Sequence, residues 1–289
     1  MRSAVDPRIS VVVLTHNRRD ELLGTLARLT ALPARRPIIV VDNDSSDGTR
    51  EAIVRRFPEV ALLHAGGNLG AAGRNLGIHA ARTPYVALAD DDTWWTEPAL
   101  RRGAELLDAH ARLAVVTAQV LVGVDAHADP ACAVMATSPL APDATLPGPR
   151  LLGFLAGASM VRRQAVLDVG GFEPRLFLGS EEVLLGADLA AAGWSAVYAG
   201  DVVVHHHPSR LRDSPLRRRL IARNDLWFAW RRLPLGIAIT ATLAALWRSA
   251  RHREARAALV AALAGLPWAL ATRRRLPERV LDDWRRLRR

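Results

Sequence analysis

Cysteine is almost missing from this 289-residue chain: Cys132 stands alone. A single thiol excludes an internal disulfide and any zinc site built from several cysteines, and it suits a reducing cytoplasm. Long hydrophobic runs are missing too. The stretch Leu233–Trp247 is apolar for 15 residues, short of the roughly 18–20 that cross a bilayer. No secretory leader is expected, because the first apolar run, Ile9–Leu14, follows Asp6-Pro7-Arg8 and is too short for one. There is no internal repeat and no nucleic-acid-binding motif.

Half of the residues are apolar, so the chain is globular, with a core large enough for one domain or one and a half. The net charge is +10, and a basic surface seeks phosphates, nucleic acid or an anionic membrane. The arginine runs Arg217-Arg218-Arg219, Arg231-Arg232, Arg273-Arg274-Arg275, Arg285-Arg286 and Arg288-Arg289 all fall in the last quarter. Arginine and alanine are abundant throughout, so the asymmetry, not the total, is the signal.

The first hundred residues alternate between two periodicities. Strands are expected at Ile9–Leu14, Ile38–Val41, Val60–Leu63 and Tyr85–Ala89. Leu22, Leu26 and Leu29 recur at helical spacing, Ile53 and Phe57 mark a second helix, and 68–81 reads as a glycine-studded loop and helix. Repeated β-α units imply a mostly parallel, Rossmann-like α/β sheet with helices on both faces, whose ligands bind at the carboxyl ends of the strands. Three polar clusters sit at those ends: Thr15-His16-Asn17-Arg18, Asp42 to Asp47, and Asp90-Asp91-Asp92. Residues 123–150 read as a long loop near the site, a helix is expected after Ser180, and Val202–Val204 as a short strand ending at His205-His206-His207.

The three consecutive aspartates carry the chemistry. Side chains at i and i+2 of an extended chain point the same way, so Asp90 and Asp92 are expected to face one site. Two aligned carboxylates repel unless a cation lies between them, and Mg²⁺ or Mn²⁺ with oxygen ligands and substrate phosphates answers that need. The plainer alternative is an acidic loop capping the next helix.

In order and spacing these pieces resemble family 2 glycosyltransferases of the GT-A fold. The likeness runs from about Ile9 to Pro208 and rests on Val11 to Arg18, Val40 to Thr49, Asn68-Leu69-Gly70 with Gly73-Arg74-Asn75, Asp90 to Asp92, Gly170-Gly171-Phe172 and Ser180-Glu181-Glu182. It implies an inverting, metal-dependent transfer of a sugar from a nucleoside-diphosphate sugar to an acceptor hydroxyl. Asp42 would read a uracil or thymine base, which favours UDP or dTDP. Thr15, Asn17, Arg18, Asn68, Arg74 and Asp91 would line the nucleotide pocket. Asp92 would bind the metal, with Asp90 on the ribose or on the metal through water, and His205 or His207 as a further ligand. Glu182 would be the catalytic base beside Glu181. Two departures stand out: Glu182 sits where an aspartate is usual, and Leu184 replaces a second common acid.

The expected division is a transferase domain over 1–212, with a nucleotide-binding half to about 122 and an acceptor half after it, then a basic, tryptophan-bearing helical extension over 213–289. Trp247, Trp268 and Trp284 beside arginines suit a membrane interface; a helical subdomain packed on the core is the alternative. The acceptor, a cell-envelope or lipid-linked saccharide if the tail touches membrane, is expected to meet residues 123–150 and the region around Phe177. The expected location is cytoplasmic, with a peripheral place on the inner face of the membrane as the variant. Three other readings are weaker. A nucleotidyltransferase wants a glycine-rich loop after the first strand, which Thr15 to Arg18 lacks. A nucleic-acid-binding module wants basic and aromatic residues interleaved on one surface, and the basic runs here avoid the acidic sheet edge. A nucleotide-binding but inactive relative is hinted at only by Glu182 and Leu184.

Overall fold

The computed structural model describes residues 6–208 and 214–288. The chain opens with β1 (Ile9–Thr15), α1 (Arg19–Thr30), β2 (Ile38–Asp42), α2 (Thr49–Arg56) and β3 (Ala61–His64). It continues through α3 (Arg74–Ala80), β4 (Tyr85–Asp90), β5 (Thr93–Trp95), α4 (Glu97–Ala109) and β6 (Leu113–Val122). Then follow β7 (His127–Ala128), α5 (Pro130–Ala136), β8 (Arg150–Leu151), β9 (Ser159–Arg162), α6 (Arg163–Asp168), α7 (Glu181–Ala191) and β10 (Ser195–His206). Five helices close the chain: α8 (Ser214–Arg232), α9 (Leu235–Ser249), α10 (Arg253–Ala264), α11 (Leu266–Ala271) and α12 (Glu278–Arg286).

One sheet runs β3-β2-β1-β4-β9-β6-β10-β5, with β7 and β8 appended to β6 and β10. The first four strands are parallel, as expected from the β-α repeats. Beyond them the sheet is mixed: β9 is antiparallel to both β4 and β6, and β5 is antiparallel to β10. Successive residues of a strand point to opposite faces, and β1 shows it: Val11 and Val13 join one core with Leu22, Ile53 and Leu100, while Val12 joins the other with Ile78, Val166 and Leu185. Helices therefore cover both faces. Residues 123–150 are less irregular than their composition implies, because Asp129 caps α5 through Ala131 N–H at 2.8 Å and β7 and β8 extend the sheet edges.

The C-terminal helices pack on the core. A third apolar cluster joins Leu184 and Ala187 of α7 to Leu226, Trp227, Leu259 and Leu281. A two-pronged ion pair reinforces it, Arg232 Nε and Nη2 donating to the Asp188 carboxylate at 2.6 and 2.8 Å. The expected boundary at 212/213 lies outside the described residues. Among the described residues no helix is long and apolar enough to cross a membrane.

Candidate active site

The carboxyl ends of β1, β2 and β4 surround a cavity of about 440 Å³. Thr15, Arg18, Asn68, Arg74 and all three aspartates line it. These seven sequence-predicted residues are brought together around one cavity, and of the cluster Asp42 to Asp47 only Asn43 reaches it. Asn17 and Asp42 are elsewhere. Asn17, at φ 52°, accepts from Ser46 N–H at 2.7 Å and staples the first loop to the second. Asp42 is fully buried and turned into its own loop, accepting from Ser45 N–H at 3.1 Å with Arg50 at 3.4 Å. The cavity wall beside it is Asn43. Gly48 is the N-cap of α2, and Asp47 just before it accepts from Thr49 N–H at 3.1 Å.

Asp90 and Asp92 line the same cavity, as expected, but a turn rather than a continued strand brings them there. Strand β4 ends at Asp90, and Asp91-Asp92 form the turn into β5, so the i, i+2 alternation stops where it was needed. Asp90 pairs with Arg74 and lies so close over Gly157 that a Cβ there would overlap its carboxylate. Asp91 is buried and accepts from Thr15 Oγ1 at 3.1 Å and from Arg18 at 3.3 Å. Burial pushes its pKa up to about 7, with Arg18 opposing and the two neighbouring aspartates adding to the rise. Asp92 meets Arg18 at 3.4 Å and Thr93 Oγ1 at 3.3 Å.

The histidine beside Asp92 is His206, its Nε2 lying 3.5 Å from Asp92 Oδ1. His205 and His207, the residues expected there, share the other side of the strand. His205 stacks on Trp94 with ring centroids 5.5 Å apart, and His207 meets the same indole edge-on at 4.7 Å. Alternation holds, but its phase is set by pairing with β5, where His206 faces Thr93 and His205 faces Trp94.

A divalent cation would find an oxygen and an imidazole nitrogen in Asp92 and His206, 3.5 Å apart. That donor pair fits Mg²⁺ or Mn²⁺, which take one or two protein ligands and fill the remaining places with phosphate oxygens and water. Among the described residues no group of three or more metal-ligating side chains is present.

Glu181 and Glu182 open α7 and do not line the cavity, but Arg74 links them to it. The guanidinium is buried, and the negative charges of Asp90, Glu182 and Glu181 hold it firmly protonated against that burial. Burial pushes Glu181 up to about 7, helped by the charge of Glu182 and opposed by Arg74 and Arg217. Glu182 is raised by burial as well, with Arg74 and the Ala156 N–H favouring its charged form. Among the described residues, Glu181 Oε2 is buried with no hydrogen-bond partner. Burial that raises a carboxylate's basicity suits it to accept a proton near neutral pH.

Several lining residues were not among the site candidates, although His16 and Asn43 fall inside the polar clusters. His16 holds the Asn43 carbonyl through Nδ1 at 2.7 Å, Asn43 Nδ2 donates to Gly70 O at 2.9 Å, and Leu216 and Arg217 reach the cavity from α8. Phe177, expected on the acceptor side, lines it too; residues 123–150 do not.

Comparison with known proteins agrees with this architecture. Residues 10–168 match the family model "Glycosyl transferase family 2". The chain is 31% identical to N-acetylglucosaminyl-diphospho-decaprenol L-rhamnosyltransferase of Mycobacterium tuberculosis, over 82% of this chain and 90% of that one. Its fold is similar to a mannosyltransferase from Pyrobaculum calidifontis in complex with GDP-Man and Mn²⁺ (TM-score 0.61, 20% identity, 92% and 90% of the two chains). It is also similar to S. aureus TarS in complex with UDP-GlcNAc (TM-score 0.57, 18% identity, 76% and 65%).

Proposed function

The chain belongs to glycosyl transferase family 2, and from that premise we propose that it moves a sugar from a nucleoside-diphosphate sugar to an acceptor hydroxyl, with inversion at the anomeric carbon and a divalent cation on the diphosphate. The observation that carries this reading is the gathering of Asp90, Asp91 and Asp92 with Arg18 and Arg74 around one cavity, and of Glu181 and Glu182 around Arg74. Acids alone would repel a diphosphate; acids interleaved with arginines suit a diphosphate that arrives with its cation.

Asp92 and His206 would hold that cation. When bound it neutralises diphosphate charge and stabilises the leaving nucleoside diphosphate. Arg18 and Arg74 present planar donors to phosphate oxygens. Thr15, Asn68 and the Asn43 wall border the nucleoside end. Glu182 takes the proton from the acceptor hydroxyl as its oxygen attacks, and Arg74 and the Ala156 N–H hold the carboxylate ready. One displacement with the base opposite the leaving group inverts the centre.

The mycobacterial relative's named substrate is a lipid-linked saccharide diphosphate, and an acceptor of that class, with a hexose or deoxyhexose as the donor sugar, is the proposal for this chain. The outer face of α9 supports a peripheral place on the membrane. Its large residues Leu235, Ile239, Leu243 and Leu246 point outward, and small Ala238, Ala245 and Ser249 point inward, the reverse of a helix built only for its own core.

The deciding experiment is thermal stability with UDP, dTDP, GDP and CDP, each with and without Mn²⁺, on the wild type and Asp92→Ala. A metal-dependent rise for one nucleotide, lost in the variant, is the expected result and names the donor class. No rise with any nucleotide would overturn the reading.

A further inference from the structure

Immediately before the two glutamates the backbone takes a conformation that ordinary residues avoid. Phe177 lies at φ 62°, ψ −66°, and Leu178 N–H closes on Leu176 O at 2.7 Å. This is the γ-turn of positive φ, rare and strained. Gly179 at φ 89° and Ser180 at φ 64° follow in the left-handed region. Strained segments persist only where their surroundings over-determine them.

The surroundings here are three consecutive residues of α8. Asn224 is wholly buried, and its Nδ2 donates to Gly179 O at 2.6 Å, Leu176 O at 2.9 Å and Leu178 O at 3.2 Å. Arg223 Nη2 donates to Leu176 O at 2.8 Å, and its Nε holds Asn224 Oδ1 at 2.9 Å, which fixes the amide's orientation. Ser180 Oγ donates to Asp225 Oδ1 at 2.8 Å. The turn in its own right touches the donor side, because Phe177 O accepts from Ala71 N–H at 2.7 Å and Phe177 and Leu178 line the cavity.

We propose that Asn224, oriented by Arg223 and flanked by Asp225, is a positioning residue: it holds the 176–180 turn in its strained form and so sets where Glu182 stands relative to the donor cavity. The inference rests on the transferase reading, with Glu182 as base. A helix outside the segment matched by the family model thereby acquires a part in turnover without touching substrate.

The test is Asn224→Ala in the full chain, followed by sugar transfer, nucleotide binding with Mn²⁺ by calorimetry, the pH profile of kcat, and hydrogen exchange. Misplacing a reacting group by about 1 Å costs on the order of 10²-fold. The expected result is a kcat lower by about that factor, nucleotide affinity within about threefold, an acid limb moved to lower pH as the glutamates gain solvent, and faster exchange confined to the turn and the start of α7. Adding Ser180→Gly, which relieves the left-handed penalty, should restore part of kcat. Unchanged kcat per nucleotide-binding site, or kcat and nucleotide affinity falling together with the acid limb in place, would overturn the inference. If Asn224→Ala does not fold, Asp225→Ala removes only the outer bond and should lower kcat about tenfold with the same signature. A wild type that transfers no sugar would sink the transferase reading instead, and the exchange measurement would still decide whether α8 holds the turn.

Discussion

His206 stands where its neighbours were expected, and the reason is local. The apolar run Val202–Val204 reads as a strand that stops before the histidines, but β10 continues through His206 and its pairing with the three-residue β5 chooses the phase. Alternation is legible in a sequence; which face comes first is not, because a partner strand elsewhere in the chain decides it. His206→Ala should therefore weaken Mn²⁺-dependent nucleotide binding more than His205→Ala, whose ring is spent on Trp94; calorimetry of both variants checks it. The opposite order would return the metal to the His205 side. Glu182 is proposed as the base from its place after Ser180, at the start of α7. Glu182→Gln should lower kcat by about 10²–10⁴-fold, the usual worth of a general base, with nucleotide affinity nearly unchanged, measured by steady-state kinetics beside calorimetry. The acid limb of kcat should lie above the ordinary 4.5 of a glutamate, because burial raises Glu182.

Among the elements, the four parallel strands were readable because each is a short apolar run bounded by turn residues. Strands β6 and β9 and helix α4 were not. In β6 the run Leu113–Ala118 is buried residue after residue, so it carries no alternation to distinguish strand from helix. Strand β9 spans only Ser159–Arg162, and what makes it a strand is its pairing with β4 and β6. Asp90 and Asp92 do meet at one cavity, although the expected route, strand alternation, gives way to a turn after Asp90. Between β3 and α3 the glycine-rich segment does have a structural reason. Gly70, at φ 58°, lies where a Cβ would overlap Phe177 O. Gly70→Ala should destabilise the fold by about 2 kcal/mol from backbone strain and displacement of the turn, read from the urea midpoint, and should weaken nucleotide binding as well. A change below about 0.5 kcal/mol, the usual range of a neutral surface substitution, would show that the two segments are not pressed together.

For the whole molecule, the raised carboxyls make an unusual balance. Asp91 moves from its ordinary 3.8 to about 7 and Glu181 from 4.5 to about 7. Each binds its proton more tightly in the folded chain than in the unfolded one, so its stabilising share is full at low pH and is lost as pH rises toward 7 and beyond. The lowered carboxyls Asp6, Asp47, Glu97 and Asp108 act in the other direction, but only in more acid solution. The ligand-free protein should therefore melt several degrees lower at about pH 8 than at about pH 6.5, and Mn²⁺ with nucleotide should narrow that gap; scanning calorimetry at the two pH values checks it. The outer face of α9 makes a second prediction at this scale. The wild type should sediment with vesicles rich in anionic lipid and less with neutral ones, and Leu243→Ser with Leu246→Ser should release it without altering nucleotide binding. Equal sedimentation of the variant would remove α9 from the interface. The sequence left the tail open between membrane contact and packing on the core. The packing is now visible, since α8 is knit to α7, and the outward leucines of α9 were hidden from a linear reading because the helix is apolar on both sides. The segment matched by the family model ends at residue 168, whereas the turn that carries the glutamates is held by residues 223–225. With the positioning role proposed for Asn224, recombination that exchanges the tail alone would separate the two halves of one joint, so among its kin 176–180 and 223–225 should change together, and an engineered exchange of acceptor modules should cut the chain beyond α8.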